Sequence, residues 1–387
     1  MKEKLKSNIV FYFMTFFCFY FSMGILVSIL SVYLADIGMK STQISVITSA
    51  TAIFTVFSQT YIGVLADKYQ KTKMVAIGVM LIAGICGALI CKSTSVIILF
   101  FLNGIAQAFI IGTVPLLDSL TMNSGYVYGY VRIGGSVGYA VAAQIAGILY
   151  DRFPSWVVFV VYALATVLTV FFISMLREIQ YKNKEKKTVS SFKVIHVLLK
   201  NRAYLVFLGV YFILLGLHYA NIAYMPLLIR EMGGIATNTG TVLLLQTLFE
   251  IPVFLYAEKI MRKVSFRALL VFVCAIMTIR MFWYASYPNL NIMTAVFFFQ
   301  GLTTGVFYAL TVKLVAKVVQ KEYTNTALAL GSMIGKGAGA LVFQLVGGYI
   351  GEAEGFGRLY FYLGIFGCIS IVIALLYKEN NLEVQHE

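Results

Sequence analysis

Asp118 and Arg132 are opposite charges set symmetrically about a turn. The stretch that holds them reads DSLTMNSGYVYGYVRIGGSVGY, from Asp118 to Tyr139; Gly125 marks the turn, with the acid seven residues before it and the arginine seven after. If both flanks are helices folding back antiparallel, equal arms bring the two charges to one depth, about 10 Å past the turn at ~1.5 Å per residue. A guanidinium so placed donates paired hydrogen bonds and a carboxylate accepts them, which is chemistry for holding a polar ligand. Glu250 and Arg280 repeat the arrangement deeper: each lies fifteen residues from Ser265, and fifteen helical residues reach roughly 22 Å. Lys336 reaches a similar level from the turn near Gln320. Tyr139 follows Arg132 by two helical turns and therefore lies near the same face.

The surrounding composition turns these charges into a site. Of the 387 residues, 60% are hydrophobic and only 12% charged, with a mean hydropathy of +0.87. Globular domains carry about 25% charged residues, so the chain reads as an all-α membrane protein that crosses the bilayer many times. Alternating ten-residue segments, the mark of a barrel, do not dominate. The formal charge of +14 sits mainly in the breaks between apolar runs, so it is a topology signal and implies no nucleic-acid partner. The cysteines Cys18, Cys86, Cys91, Cys274 and Cys368 lie in or at the ends of apolar segments without metal-ligand spacing, and read as packing residues. No metal and no cofactor is implied. The first apolar run continues to about Leu34, too long for a signal-peptide core, and reads as a retained span.

Twelve spans are expected: about 8–34, 42–66, 73–91, 95–121, 127–150, 155–177, 203–229, 238–261, 265–286, 290–318, 323–350 and 356–378. With the N-terminus inside, the outer breaks hold only Lys40, Lys92, Arg152, Arg230 and Arg358, which puts both termini in the cytoplasm. The longest break, 178–202, contains KNKEKK and divides the chain into bundles of six helices at 1–177 and 203–387. The breaks after spans two and eight match: DKYQKTK from Asp67 and EKIMRK from Glu258. Gly63, Asp67 and Lys68 are read as a conformational-gate motif at the end of span two. Six charges remain inside spans: Asp118, Arg132, Glu250, Arg280, Lys313 and Lys336. A charge at the bilayer centre costs ~2.5–3.5 kcal/mol on insertion scales, so each requires a partner, water or a ligand. Lys313 lies near a helix end and can snorkel; the others cannot. Gly134-x-x-x-Gly138 and Gly331-x-x-x-Gly335-x-x-x-Gly339 mark close helix contacts on spans five and eleven, either between moving parts or in static packing.

These residues resemble the lactose permease-like oligosaccharide:proton symporters of the major facilitator superfamily over almost the full chain. PLLD, from Pro115 to Asp118, is similar to the family's proline-x-x-glutamate, and VRIGGSVGY resembles the segment with its sugar-binding arginine. The resemblance implies a major facilitator fold of two pseudo-symmetric bundles. It makes Asp118 and Arg132 the sugar-recognition pair, with Tyr139 in place of a stacking tryptophan. Glu250 in TLFEIP matches the carboxylate shared by sugar and proton, Arg280 in MTIRMF the proton-site arginine, Lys336 in MIGKGAG the span-eleven lysine, and Asn221 in HYAN a span-seven asparagine. Two departures stand out. Gln300 and Thr303 occupy the span-ten positions where the family has titratable groups, and span seven has no acid to pair with Lys336, only His218 nearby.

The expected function is therefore proton-coupled symport of a sugar or short oligosaccharide by alternating access. Arg132 and Asp118 would hold the substrate, Tyr139, Asn221 and Lys336 would line its site, and Glu250 with Arg280 would couple the proton. Two acids against three deep bases keep open an alternative cargo, a small organic anion such as an aromatic acid or sugar acid. A non-transporting receptor is disfavoured by the duplicated halves, and an enzyme by the lack of a nucleophile, metal cluster or phosphate loop. The expected partners are a small-molecule substrate, a proton and the lipid bilayer, and the expected form is a monomer in the cell membrane.

Overall fold

In hydrocarbon every backbone N–H and C=O must be satisfied within the segment, so apolar runs of this length fold as helices. A computed structural model of the chain describes residues 9–178, 191–319 and 323–377. Helix follows helix: α1 (Ile9–Asp36), α2 (Ser41–Tyr69), α3 (Thr72–Leu89), α4 (Val96–Met122), α5 (Tyr128–Arg152), α6 (Trp156–Met175), α7 (Ser191–Lys200), α8 (Arg202–Glu231), α9 (Ala236–Lys263), α10 (Phe266–Ala285), α11 (Leu290–Val296), α12 (Phe298–Val318), α13 (Thr324–Ser332), α14 (Ala340–Ala353) and α15 (Phe356–Leu375). Eleven helical stretches among the described residues are long and apolar enough to cross a membrane. The remaining expected span, 238–261, lies within α9, a helix of 28 residues.

Two expected spans are not uniform helices. The span expected at 290–318 steps from α11 to α12 at Phe297. The one at 323–350 contains a wide π-helical turn, Met333–Gly339, between α13 and α14, and Lys336 lies in that turn. The expected linker 178–202 contains α7, whose Leu198 is buried while Val197 and Leu199 are exposed; residues 179–190 of the linker lie outside the described part. Gly125 adopts φ +83 between α4 and α5, a left-handed turn that favours glycine and lets the two helices fold back on each other.

The helices form two compact units, Met1–Asn183 with Ile222–Leu248, and Lys184–Asn221 with Phe249–Glu387. In the first, α1 packs along α5 and α6, and α4 packs on α2 and α3. Lipid tails are as apolar as leucine, so these contacts rest on close fit rather than on exclusion of water. The glycines supply that fit: a Cβ at Gly134 would lie 2.8 Å from the carbonyl oxygen of Phe13, and one at Gly138 would overlap that of Phe17. In the second unit α10 packs on α15 and α12. Gly335 of the π turn faces Tyr211 and Leu215 of α8, and Gly339 meets the carbonyl of Phe212. Both glycine series thus serve helix packing inside a unit.

Candidate functional site

Asp118 and Arg132 come from α4 and α5, either side of the Gly125 turn, as their equal spacing requires. They do not form an ion pair with each other. Asp118 Oδ1 accepts a hydrogen bond from the hydroxyl of Tyr128, at 2.8 Å. The guanidinium of Arg132 lies over the Tyr20 ring, 4.2 Å from its centroid, and 6.0 Å from that of Phe16. Phe16 and Tyr20 are stacked one helical turn apart on α1, with ring centroids 6.3 Å apart, and Tyr128 meets Phe16 edge-on at 6.4 Å. A cation on a ring face gains about 0.5–2 kcal/mol according to its exposure, which offsets part of the cost of placing the charge among apolar helices. Gly135 makes room for the stack: a Cβ there would lie 2.6 Å from Tyr20 and 2.7 Å from Arg132 Nη1.

Each charge is thereby held by an aromatic residue instead of by its opposite. The N–H groups of Arg132 have no hydrogen-bond acceptor among the described residues, and both side chains are only half-buried. The arrangement leaves a fixed fork of donors and a carboxylate available to a ligand that carries hydroxyl groups. Tyr139 lies on the same helix, where its backbone packs against Gly24 of α1.

The second unit holds a buried polar chain around Arg280, which is 4% exposed. Its Nε and Nη2 donate to the hydroxyl of Tyr284 at 3.2 and 3.0 Å, and Nη2 also donates to Gln300 Oε1. The same oxygen accepts from Asn221 Nδ2 at 3.0 Å, and Asn221 Oδ1 accepts from the hydroxyl of Tyr360 at 2.9 Å. Tyr284 and Phe297 stack at 5.8 Å, and the guanidinium lies 5.4 Å from each ring centroid. Neutral oxygens and π faces thus stabilise this cation, with no carboxylate of the described residues within ion-pair reach. Arg280 Nη1 is buried and has no partner among the described residues.

The expected residues are therefore only partly gathered. Asn221 and Arg280 are joined through Gln300, a residue the sequence marks only as non-titrating. Glu250 is on α9 beside α12, where a Cβ added at Gly305 would lie 3.4 Å from Glu250 Cγ, and it makes no ion pair with Arg280. Lys336 Nζ lies 5.6 Å from the Tyr308 ring centroid. His218, Thr303, Thr304 and Tyr308 line a cavity of about 20 Å³, enough for one water. In the gate motif, Gly63 has open space around it and Lys68 lies 5.8 Å from the Tyr69 ring; the Asp67 side chain is outside the described part. Sequence reasoning missed Tyr128 and Tyr284, although each lies four residues from its arginine and so on the same helix face. Tyr20 and Tyr360 approach from distant helices, and no local spacing announces them.

A family model described as the MFS_1 like family matches residues 9–362. The chain belongs to that family, within the major facilitator superfamily. Among curated relatives of this MFS_1-like protein, the maltose permease of Geobacillus stearothermophilus is 28% identical over 377 residues, covering 96% of this chain and 94% of the permease. Two solved structures share the fold. The nucleoside transporter NupG superposes with a TM-score of 0.81 at 18% identity, over 96% of this chain and 98% of that one. A D-xylose-proton symporter gives a TM-score of 0.73 at 12% identity, over 96% of both chains.

Proposed function

We propose that this MFS_1-like chain carries a sugar or short oligosaccharide across the cell membrane by proton-coupled symport, acting as a monomer with both termini in the cytoplasm. The halves 1–177 and 203–387 rock about a central site and open it to each side in turn. The observation that carries this reading is the separation of Asp118 from Arg132. An internal salt bridge would consume both groups, whereas here Tyr128 and Tyr20 hold them apart. Arg132 donates to substrate hydroxyls, Asp118 accepts from them, and Tyr139 offers an aromatic face. Full-length similarity to a maltose permease favours a neutral sugar over an organic anion. Asn221 and Lys336 contribute polar lining, and Glu250 carries the coupling proton.

The decisive test is uptake of labelled maltose and other neutral glycosides, with and without a pH gradient, in vesicles containing the purified protein. Uptake driven by an inward proton gradient and lost in Arg132→Ala fits the reading. Uptake of aromatic or sugar acids that neutral glycosides fail to displace overturns the cargo.

A further inference from the structure

A second cluster of charges lies well away from the candidate site, where four helix ends meet in the first compact unit. Asp36 is the last residue of α1, Tyr150 and Asp151 belong to the last turn of α5, Arg230 to the last turn of α8, and Ala236 and Thr237 to the first turn of α9. Asp36 forms an ion pair with Arg230 and accepts a hydrogen bond from the hydroxyl of Tyr150 at 2.7 Å. Asp151 accepts from the backbone N–H of Ala236 at 3.0 Å, and from the backbone N–H and the hydroxyl of Thr237 at 2.7 and 2.5 Å. Below this layer the backbones of α5 and α9 touch. A Cβ at Gly147 would lie 2.6 Å from the carbonyl oxygen of Ala236, and one at Gly240 would lie 3.0 Å from Gln144 Cα. A cavity of about 200 Å³ runs alongside, lined by Asp36, Tyr150, Asp151, Arg230 and Thr239 among others.

We infer that Asp36, Tyr150, Asp151, Arg230 and the first turn of α9 form a latch that closes one side of the transport path and must break in every cycle. The inference rests on the alternating-access reading above. In sequence, Ile222–Leu248 belongs to the second six-helix half, yet it packs as one body with the helices of the first. The residues that hold it there are the ones in the breaks assigned to the outer face. Rocking apart on that side requires this segment to leave α1 and α5.

The chemistry suits a contact made and broken repeatedly. The first amides of α9 have no acceptors within their own helix, and its positive end favours a carboxylate. Asp151 satisfies two of these amides across the contact, and water can replace it when the helices part. Asp36 and Arg230 are each partly exposed, with side chains 33% and 48% accessible, so both can be hydrated on separation. Gly147 and Gly240 place backbone against backbone without interlocking side chains, so the surfaces separate cleanly.

The test uses purified full-length protein in lipid nanodiscs, where both faces meet the reagent, with the five native cysteines replaced by alanine. Gln144→Cys, on the α5 surface that Gly240 covers, reports opening through its rate of reaction with N-ethylmaleimide. Asp151→Asn and Arg230→Ala are expected to raise that rate several-fold, and the exchange Asp36→Arg with Arg230→Asp to bring it back down. Joining Asp151→Cys to Thr237→Cys, in protein without the reporter, with a short cleavable bifunctional thiol reagent is expected to stop uptake, and cleavage to restore it. Labelling rates unmoved by the single variants, or transport that continues in the joined protein, overturn the latch. Labelling that follows these expectations in a protein that carries no sugar leaves the latch standing and removes the cargo assignment instead.

Discussion

The hydroxyl of Tyr128 donates a hydrogen bond to Asp118 at 2.8 Å, on the carboxylate that the sequence pairs with Arg132. With this bond made, no ion pair joins Asp118 to the arginine on the adjacent helix. Tyr128→Phe removes the hydrogen bond without changing shape and frees Asp118 to turn toward Arg132. Hydrogen bonds to a charged group contribute about 1.5–3 kcal/mol, so the KM for sugar is expected to rise roughly tenfold or more with kcat little altered. Uptake kinetics on membranes with matched expression check this, and an unchanged KM would remove Tyr128 from the site.

Arg132 on the face of Tyr20 gives a second expectation. A cation–π contact contributes about 0.5–2 kcal/mol according to its exposure, so Tyr20→Leu should weaken sugar binding between two-fold and thirty-fold, whereas Tyr20→Phe keeps the ring and most of the affinity. Gly135→Ala should resemble Tyr20→Leu, because its methyl group would occupy the space shared by the ring and the guanidinium. Equilibrium binding of a labelled glycoside to purified protein separates these variants.

Gln300 joins Arg280 to Asn221 with one oxygen. Gln300→Leu leaves two buried donors without their acceptor, one of them charged, and is expected to cost about 2–5 kcal/mol. Thermal denaturation in detergent should show a melting temperature lowered by several degrees. Thr303→Val, at a hydroxyl bonded only to carbonyls of its own helix, should change it little.

The expected positions of the twelve spans agree with the helices because hydrophobic length and turn glycines are local properties, and Gly125 is the clearest case. The helix that carries each ionic residue was likewise legible, since the apolar run around it sets the element. The residue's partner was not. Equal arms about a turn bring Asp118 and Arg132 level, but rotamer and neighbouring rings decide whether they touch, and those rings come from α1, roughly a hundred residues away in the chain. The same limit applies to Arg280, which sequence spacing sets level with Glu250 while its hydrogen bonds go to Tyr284 and Gln300. The π turn at Lys336 also escaped, because a sequence pattern of small residues at four-residue spacing reads as regular helix.

Two glycines that look alike in sequence should respond oppositely to the same change. At Gly138 an added Cβ overlaps the carbonyl of Phe17, a backbone atom that can move only if α1 moves, so Gly138→Ala is expected to lower the yield of folded protein sharply. At Gly63 nothing lies within 4 Å, so Gly63→Ala should fold normally. Any loss of transport in Gly63→Ala then belongs to the gate motif and not to stability. Size-exclusion profiles and uptake per folded molecule distinguish the two cases.

We propose Glu250 as the carrier of the coupling proton, and the surroundings of Arg280 sharpen the test. Arg280 is balanced by neutral oxygens and ring faces, so a carboxylate is not needed to keep it buried. Glu250 is not among the groups that hold Arg280, so Glu250→Gln should leave the Arg280 network intact. A neutral amide cannot load or release a proton. The variant is expected to exchange sugar across the membrane in counterflow while failing to accumulate it when a pH gradient is imposed. If accumulation persists at its normal level, the proton travels elsewhere. Asp118→Asn is the next variant to measure, since Asp118 is the other acid set deep within a span, and its carboxylate is held by the Tyr128 hydroxyl instead of by a cation.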